Sequence, residues 1–146
     1  MAYALASDLQ THLAPEQLAA LADDNADGAS DAAVLDAALA EASAAIDQYL
    51  AARYDAPVAA ASGSTLAAVL RAWCVALALE ALHLRRRAEL PRAIADAAAL
   101  ARRALESIRD GQANLAGATA RSGSLACDAT RLEDAPAFSR AALQPF

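Results

Sequence analysis

The densest set of oxygen donors in this chain is a short stretch, Asp23-Asp24-Asn25-Ala26-Asp27-Gly28-Ala29-Ser30-Asp31. Asp23, Asn25 and Asp27 stand at alternate positions, and Gly28 follows them. That spacing matches the first half of an EF-hand loop, which sets hard oxygen ligands two residues apart and uses glycine for the sharp turn. The twelfth position of such a loop should be a bidentate Glu, and here it is Val34. The strongest ligand is therefore missing. Asp23, Asn25, Asp27 and Asp31 could hold at most a weak, hydrated cation, and the stretch reads first as a polar turn that launches a helix. Neither a metal nor an organic cofactor is expected.

Other residue types with chemical potential do not converge. His12 and His83 fall on different helical segments. Glu80 and His83 form a helical Glu-x-x-His, one ingredient of di-iron bundles, but those need a second copy and further Glu ligands. HExxH, GxSxG, P-loop and GxGxxG motifs are absent, so the chain is not expected to be an enzyme. Asp36, Glu41 and Asp47 share the long segment after the acidic loop. Arg85, Arg86 and Arg87 close a later helix, where cations complement the helix dipole. Both groups read as solvated faces, or as surfaces that meet opposite charge on another chain. Cys74 lies in an apolar run and reads as buried filler. Cys127 lies in a Gly/Ser-rich tail, and neither has a CxxC partner, so a reducing compartment is the default.

The composition fixes what must position these groups. With 146 residues the chain makes one domain. It is 58% hydrophobic but only 4% aromatic, because alanine dominates. Alanine is the best helix former and leaves thin, close-packing faces, which predicts an all-α fold. All 12 basic residues are Arg, a bias that a GC-rich genome explains. The net charge of −6 is unevenly spread, with residues 1–55 near −9 and residues 56–146 near +3. An acidic chain with one short Arg cluster is a poor nucleic-acid binder. The asymmetry suits head-to-tail association of copies. The N-terminus lacks the basic start of a signal peptide. The most hydrophobic stretch, Leu66 to Leu84, carries Arg71 and Glu80, which argues for a core helix rather than a membrane span.

Periodicity and capping residues divide the chain. Ser7 should cap a short helix to about Leu13, and Pro15 should start a second one, Glu16 to Ala22. Asp31 should cap a long helix to about Tyr54, with Leu35, Leu39, Ala42, Ile46 and Leu50 on one face and Pro57 beyond its end. Ser64 or Thr65 should cap a helix to about Arg87. That helix is apolar on most sides, so it reads as the hub, with Trp73 largely buried. Pro91 should start a last helix with a single stripe of Ile94, Ala98, Ala101, Leu105 and Ile108. Arg92–Asp96 and Arg102–Glu106 are i,i+4 pairs, and Gly111 is the stop. Two short N-terminal helices and three long ones thus make a small bundle over residues 1–111. Residues 112–146 read as an extended arm. Both phenylalanines of the chain, Phe138 and Phe146, lie in that arm, which marks it as a docking segment.

The order of these elements resembles a family of small proteins from Mu-like phages and prophages. The matching positions are Tyr3, Ser7, Asp8, Leu9, Leu18, Leu21, Asp23, Asp27, Gly28, Leu35, Ala38, Leu39, Ala42, Ile46, Asp47, Tyr49, Leu50, Arg53, Tyr54 and Pro57. The ending around Phe138-Ser139-Arg140 and the terminal Phe146 is similar too. The chain departs from the family in its Ala/Ser-rich linker at 57–64 and its longer tail around 116–135.

The resemblance implies a virion role at the head–tail interface, assembled in the cytoplasm of a bacterial host. Such proteins are head–tail adaptors (connector or head-completion proteins) that form a ring, usually a dodecamer, beneath the portal protein. It implies further partners: neighbouring copies and a stopper or tail-completion protein. DNA would be passing cargo only, and no membrane is involved. Phe138, Ser139, Arg140 and Phe146 become candidates for the portal contact. Asp36, Glu41, Asp47, Arg85, Arg86 and Arg87 become candidates for the contact between copies. The competing readings are a calcium-responsive module and a small ligand-binding bundle with a pocket around Trp73, Glu80 and His83.

Overall fold

The computed structural model describes residues 2–121. They form five helices: α1 (Ala6–Gln10), α2 (Pro15–Ala22), α3 (Ala32–Leu50), α4 (Thr65–Arg85) and α5 (Arg92–Arg109). The all-α helical bundle expected from composition and periodicity is thus the observed one. Helices α3, α4 and α5 all pack on one another, and α1 and α2 lie against this trio. Arg53, just past α3, reaches the carbonyl of Ile108 at the end of α5. Those two helices therefore finish at the same pole, and α4 runs the opposite way between them. Among the described residues the one β contact is an isolated antiparallel bridge between Tyr54 and Ala120.

The core follows the expected stripes. Leu35, Leu39, Ala42, Ile46 and Leu50 of α3 are buried, as are Ala98, Ala101, Leu105 and Ile108 of α5. Each buried Leu or Ile contributes roughly 1.5–3 kcal/mol. From α4, Leu70, Cys74, Ala78 and Leu82 fill the centre. Cys74 behaves as the small core residue anticipated, and Ser43 lies 3.4 Å from its sulfur. Helix α4 is long and apolar enough to cross a membrane by length and composition, but half of that window lies inside the bundle.

Trp73 departs from expectation, being only half-buried at the edge of the core. An all-round apolar helix has more apolar faces than α3 and α5 can cover. The small side chains of α5 leave the Trp73 flank open.

Helix ends differ from the sequence reading in instructive ways. Helix α1 stops at Gln10, and Ser7 lies inside it. The capping is done by Asp8, whose carboxylate accepts from the Leu5 amide at 2.8 Å. Helix α3 ends at Leu50, short of Tyr54, because Tyr54 is turned into the core. Ser64 caps α4 by accepting from Ala67 N at 3.1 Å. At the ends of α4 and α5 the chain forms the same two-bond stop. Gly111 (φ 81°) takes the left-handed position after α5, with Gly111 N and Gln112 N donating to Ile108 O and Ser107 O. After α4 that position falls to Arg87 (φ 52°), with Arg87 N and Ala88 N donating to Leu84 O and His83 O.

The first ten residues of the expected arm pack on the bundle. Leu115 is buried, its amide donates to the Tyr54 hydroxyl at 2.8 Å, and Arg121 N donates to Arg53 O at 2.9 Å.

Candidate functional site

The acidic loop folds onto itself. Asp23 accepts from the amides of Asp27 (3.3 Å) and Gly28 (2.9 Å). Asp27 accepts from Ala29 N at 2.8 Å. Asp31 accepts from Asp24 N at 2.8 Å and from the Asn25 side-chain amide at 2.5 Å. These are the bonds by which Asx side chains build turns. Gly28 takes the positive φ that the turn needs (83°). The three carboxylates offered as cation ligands, Asp23, Asp27 and Asp31, thus accept from loop N–H groups, while Asn25 donates to Asp31, and the Gly28 amide first of all holds the Asp23 carboxyl below its usual range. Among the described residues no three His, Cys, Asp or Glu side chains gather as a metal-binding group.

Asp24, which no ligand pattern includes, is the residue that faces another element. It forms ion pairs with Arg85 and with Arg86, the latter at 2.9 Å. Arg86 also donates to the carbonyls of Leu21 (3.3 Å) and Asp23. The cluster at the end of α4 therefore clamps the acidic loop of its own chain. Arg85 holds the Asp24 carboxyl low through a charged hydrogen bond. Arg87 is exposed and forms no ion pair among the described residues.

The remaining candidates separate in the same way. Asp47 is half-buried and accepts from the Tyr3 hydroxyl, which in turn accepts from Val58 N at 2.9 Å. Asp36 and Glu41 are exposed on α3. Glu41 and Arg85 stand at the rim of an apolar groove of about 560 Å³ between α3 and α4. Leu84 also lines that groove and is 63% exposed. Glu80 pairs with Arg102 of α5, at 3.0 Å for one of two bonds, so Arg102 turns to α4 rather than to Glu106. His83 is buried, and neither ring nitrogen has a hydrogen-bond partner among the described residues. Trp73 lines a hollow that neither Glu80 nor His83 reaches. Phe138, Ser139, Arg140, Phe146 and Cys127 lie outside the described residues.

Sequence reasoning missed Leu84 and Leu100, both exposed. Leu84 projects on the same face of α4 as buried Leu66, so the periodicity gives no sign of its exposure, whereas Leu100 lies off the α5 stripe. What the arrangement offers is surfaces: two exposed acids on α3, exposed leucines, and small apolar grooves. Residues 3–132 match the model of a family described as "Bacteriophage Mu, Gp36". No curated protein matches the chain.

Proposed function

Because the chain belongs to the bacteriophage Mu Gp36 family, we propose that it is a head–tail adaptor, a ring-forming virion protein that joins the DNA-filled head to the tail. The observation that carries this reading is the family match, which runs through the whole five-helix bundle and into the C-terminal segment. It is a protein of Mu-like phages with an all-α fold, and the adaptor role goes one step further.

The surface supports that step. Asp36 and Glu41 are exposed on α3 and form no ion pair among the described residues, while exposed Arg87 and Arg103 lie beyond α4 and on α5. Unlike charges on different faces favour a heterologous contact, the kind that closes rings. A ring with an acidic wall repels the phosphates of passing DNA. The C-terminal segment, with Phe138, Ser139, Arg140 and Phe146, is the latch for the portal protein. A stopper or tail-completion protein takes the opposite rim. The protein carries out no reaction in this role.

The test is reconstitution. Purified chain mixed with its portal should sediment as one ring-bearing complex, and phage lacking the gene should accumulate full heads without tails. Removing residues 136–146 should keep the helical signal and abolish portal attachment. Normal particle yield from that truncation would overturn the latch. Tailed particles from phage lacking the gene would overturn the adaptor reading itself.

A further inference from the structure

The outer junction of α4 and α5 is largely apolar. On α4 it presents Val69, Trp73 and Ala76, spaced by four and three residues. On α5 it presents Ala97, Leu100 and Ala104, spaced by three and four. Such spacings put each set on one helix face. A hollow of about 320 Å³ opens beside Val69, Trp73 and Ala104, and one of about 390 Å³ beside Ala76 and Ala97. Leu100 falls between them on α5 and is 68% exposed. At 1.5 Å per residue the named residues span on the order of 10 Å along each helix. Glu80, four residues beyond Ala76 on α4, is turned to Arg102, and exposed Asp96 and Arg103 flank Leu100 on α5. A half-exposed Trp and an exposed Leu on a largely apolar surface are the composition of a contact site.

We propose that the stripe is covered by the chain's own C-terminal segment, residues 122–146, with Phe138 or Phe146 packed against Trp73. Continuity argues for this occupant. The chain leaving α5 already lines the lower hollow through Ala113, Leu115 and Ala116. It then passes Leu66, with Gly117 beside that side chain, and is fixed at Arg53 by Arg121. All of these lie at the pole where the lower hollow opens. Phe138 is far enough along the chain to reach roughly 55 Å from Arg121 at full extension, well over the length of the stripe. Tethering also raises the local concentration of the segment to the millimolar range, above what a separate partner supplies. The segment holds both phenylalanines of the chain, together with Leu125, Leu132 and Leu143. The latch would then be stored on its own subunit before any partner draws it away. This inference concerns one chain and does not depend on the adaptor role.

Trp73 is the sole tryptophan, so its emission reports the stripe directly. The full chain should be compared with Phe138→Ala/Phe146→Ala and with Leu100→Glu, each at several protein concentrations. Both variants should red-shift the emission and raise acrylamide quenching, with far-UV circular dichroism unchanged. Leu100→Glu should also speed tryptic cleavage at Arg131 and Arg140. Unchanged emission in the double Phe variant would overturn the proposal. So would a wild-type emission that moves with concentration, which would assign the stripe to a neighbouring copy.

Discussion

The two poles of the bundle hold non-helical chain in place by opposite means. At one pole, Arg85 and Arg86 clamp the acidic loop through Asp24, with all three side chains more than a third exposed. At the other, buried Tyr54 accepts from Leu115 N, while nearby Tyr3 joins Asp47 to Val58. Exposed ion pairs stabilise little, because water and salt screen them. A buried hydroxyl bonded to a buried amide matters more, because its loss strands the partner away from water. The tyrosine pole should therefore be firm and indifferent to salt, and the charged pole soft and responsive to it.

The largest expected effect is at the tyrosine pole. Tyr54→Ala should cost about 3–5 kcal/mol by urea unfolding, as for other large buried aromatics. Tyr54→Phe isolates the hydroxyl and should cost about 1–3 kcal/mol, since Leu115 N is left without its acceptor. A silent Tyr54→Phe would remove the basis of the contrast.

Near the charged pole, His83→Leu should raise stability by about 1–3 kcal/mol, because two ring nitrogens without a partner among the described residues leave the core. Tyr3→Phe should cost about 1 kcal/mol through its lost hydrogen bonds. Burial first, and then the bond to Asp47, push the Tyr3 hydroxyl above the usual tyrosine range. Its contribution is complete below about pH 10 and is lost as pH rises past that point. One of the three tyrosines should accordingly titrate late in an alkaline absorbance titration.

Arg87→Gly should stabilise by about 1 kcal/mol, because glycine adopts the left-handed stop after α4 without a Cβ penalty. The smallest effect belongs to the clamp. Asp24→Asn should lower the melting temperature slightly at low salt and not at all at high salt. The depressed Asp23 and Asp24 carboxyls contribute above about pH 4 and lose that contribution as pH falls below it, so the variant should also flatten the acid limb of the stability curve. Micromolar calcium should leave the melting curve where it is, since the loop carboxylates are already engaged by amides. A shift of many degrees would return the loop to the cation reading.

Much of this architecture was legible in the residues. The five helices follow from apolar period, from Pro15, Ser64 and Gly111, and from the scarcity of residues that disfavour helix. The acidic loop is legible but carries two readings, because alternating carboxylates suit a cation and an Asx turn equally well. Only the partners of each oxygen separate the two. Asp24 and Arg86 stand 62 residues apart, and nothing local connects them. The all-round apolar character of α4 predicts a buried Trp73. Whether a flank is covered depends on the bulk of the neighbour, and α5 brings mostly alanine.

Two segments that bracket the bundle in sequence are stapled at the C-terminal end of α3, the second of them 25 residues before the end of the chain. Tyr3 is held through Ser43 and Asp47, and Arg121 through Ala51 and Arg53. Chain connectivity at that pole is therefore exchangeable. The stretch after Arg121 could be joined to the residue before Tyr3 as a linker, and new ends could be opened at exposed Gly63, where added atoms meet nothing within 4 Å. Such a circular permutant would keep every helix contact described above. It would also move the free ends into the loop between α3 and α4, so the C-terminal segment would be anchored at both ends.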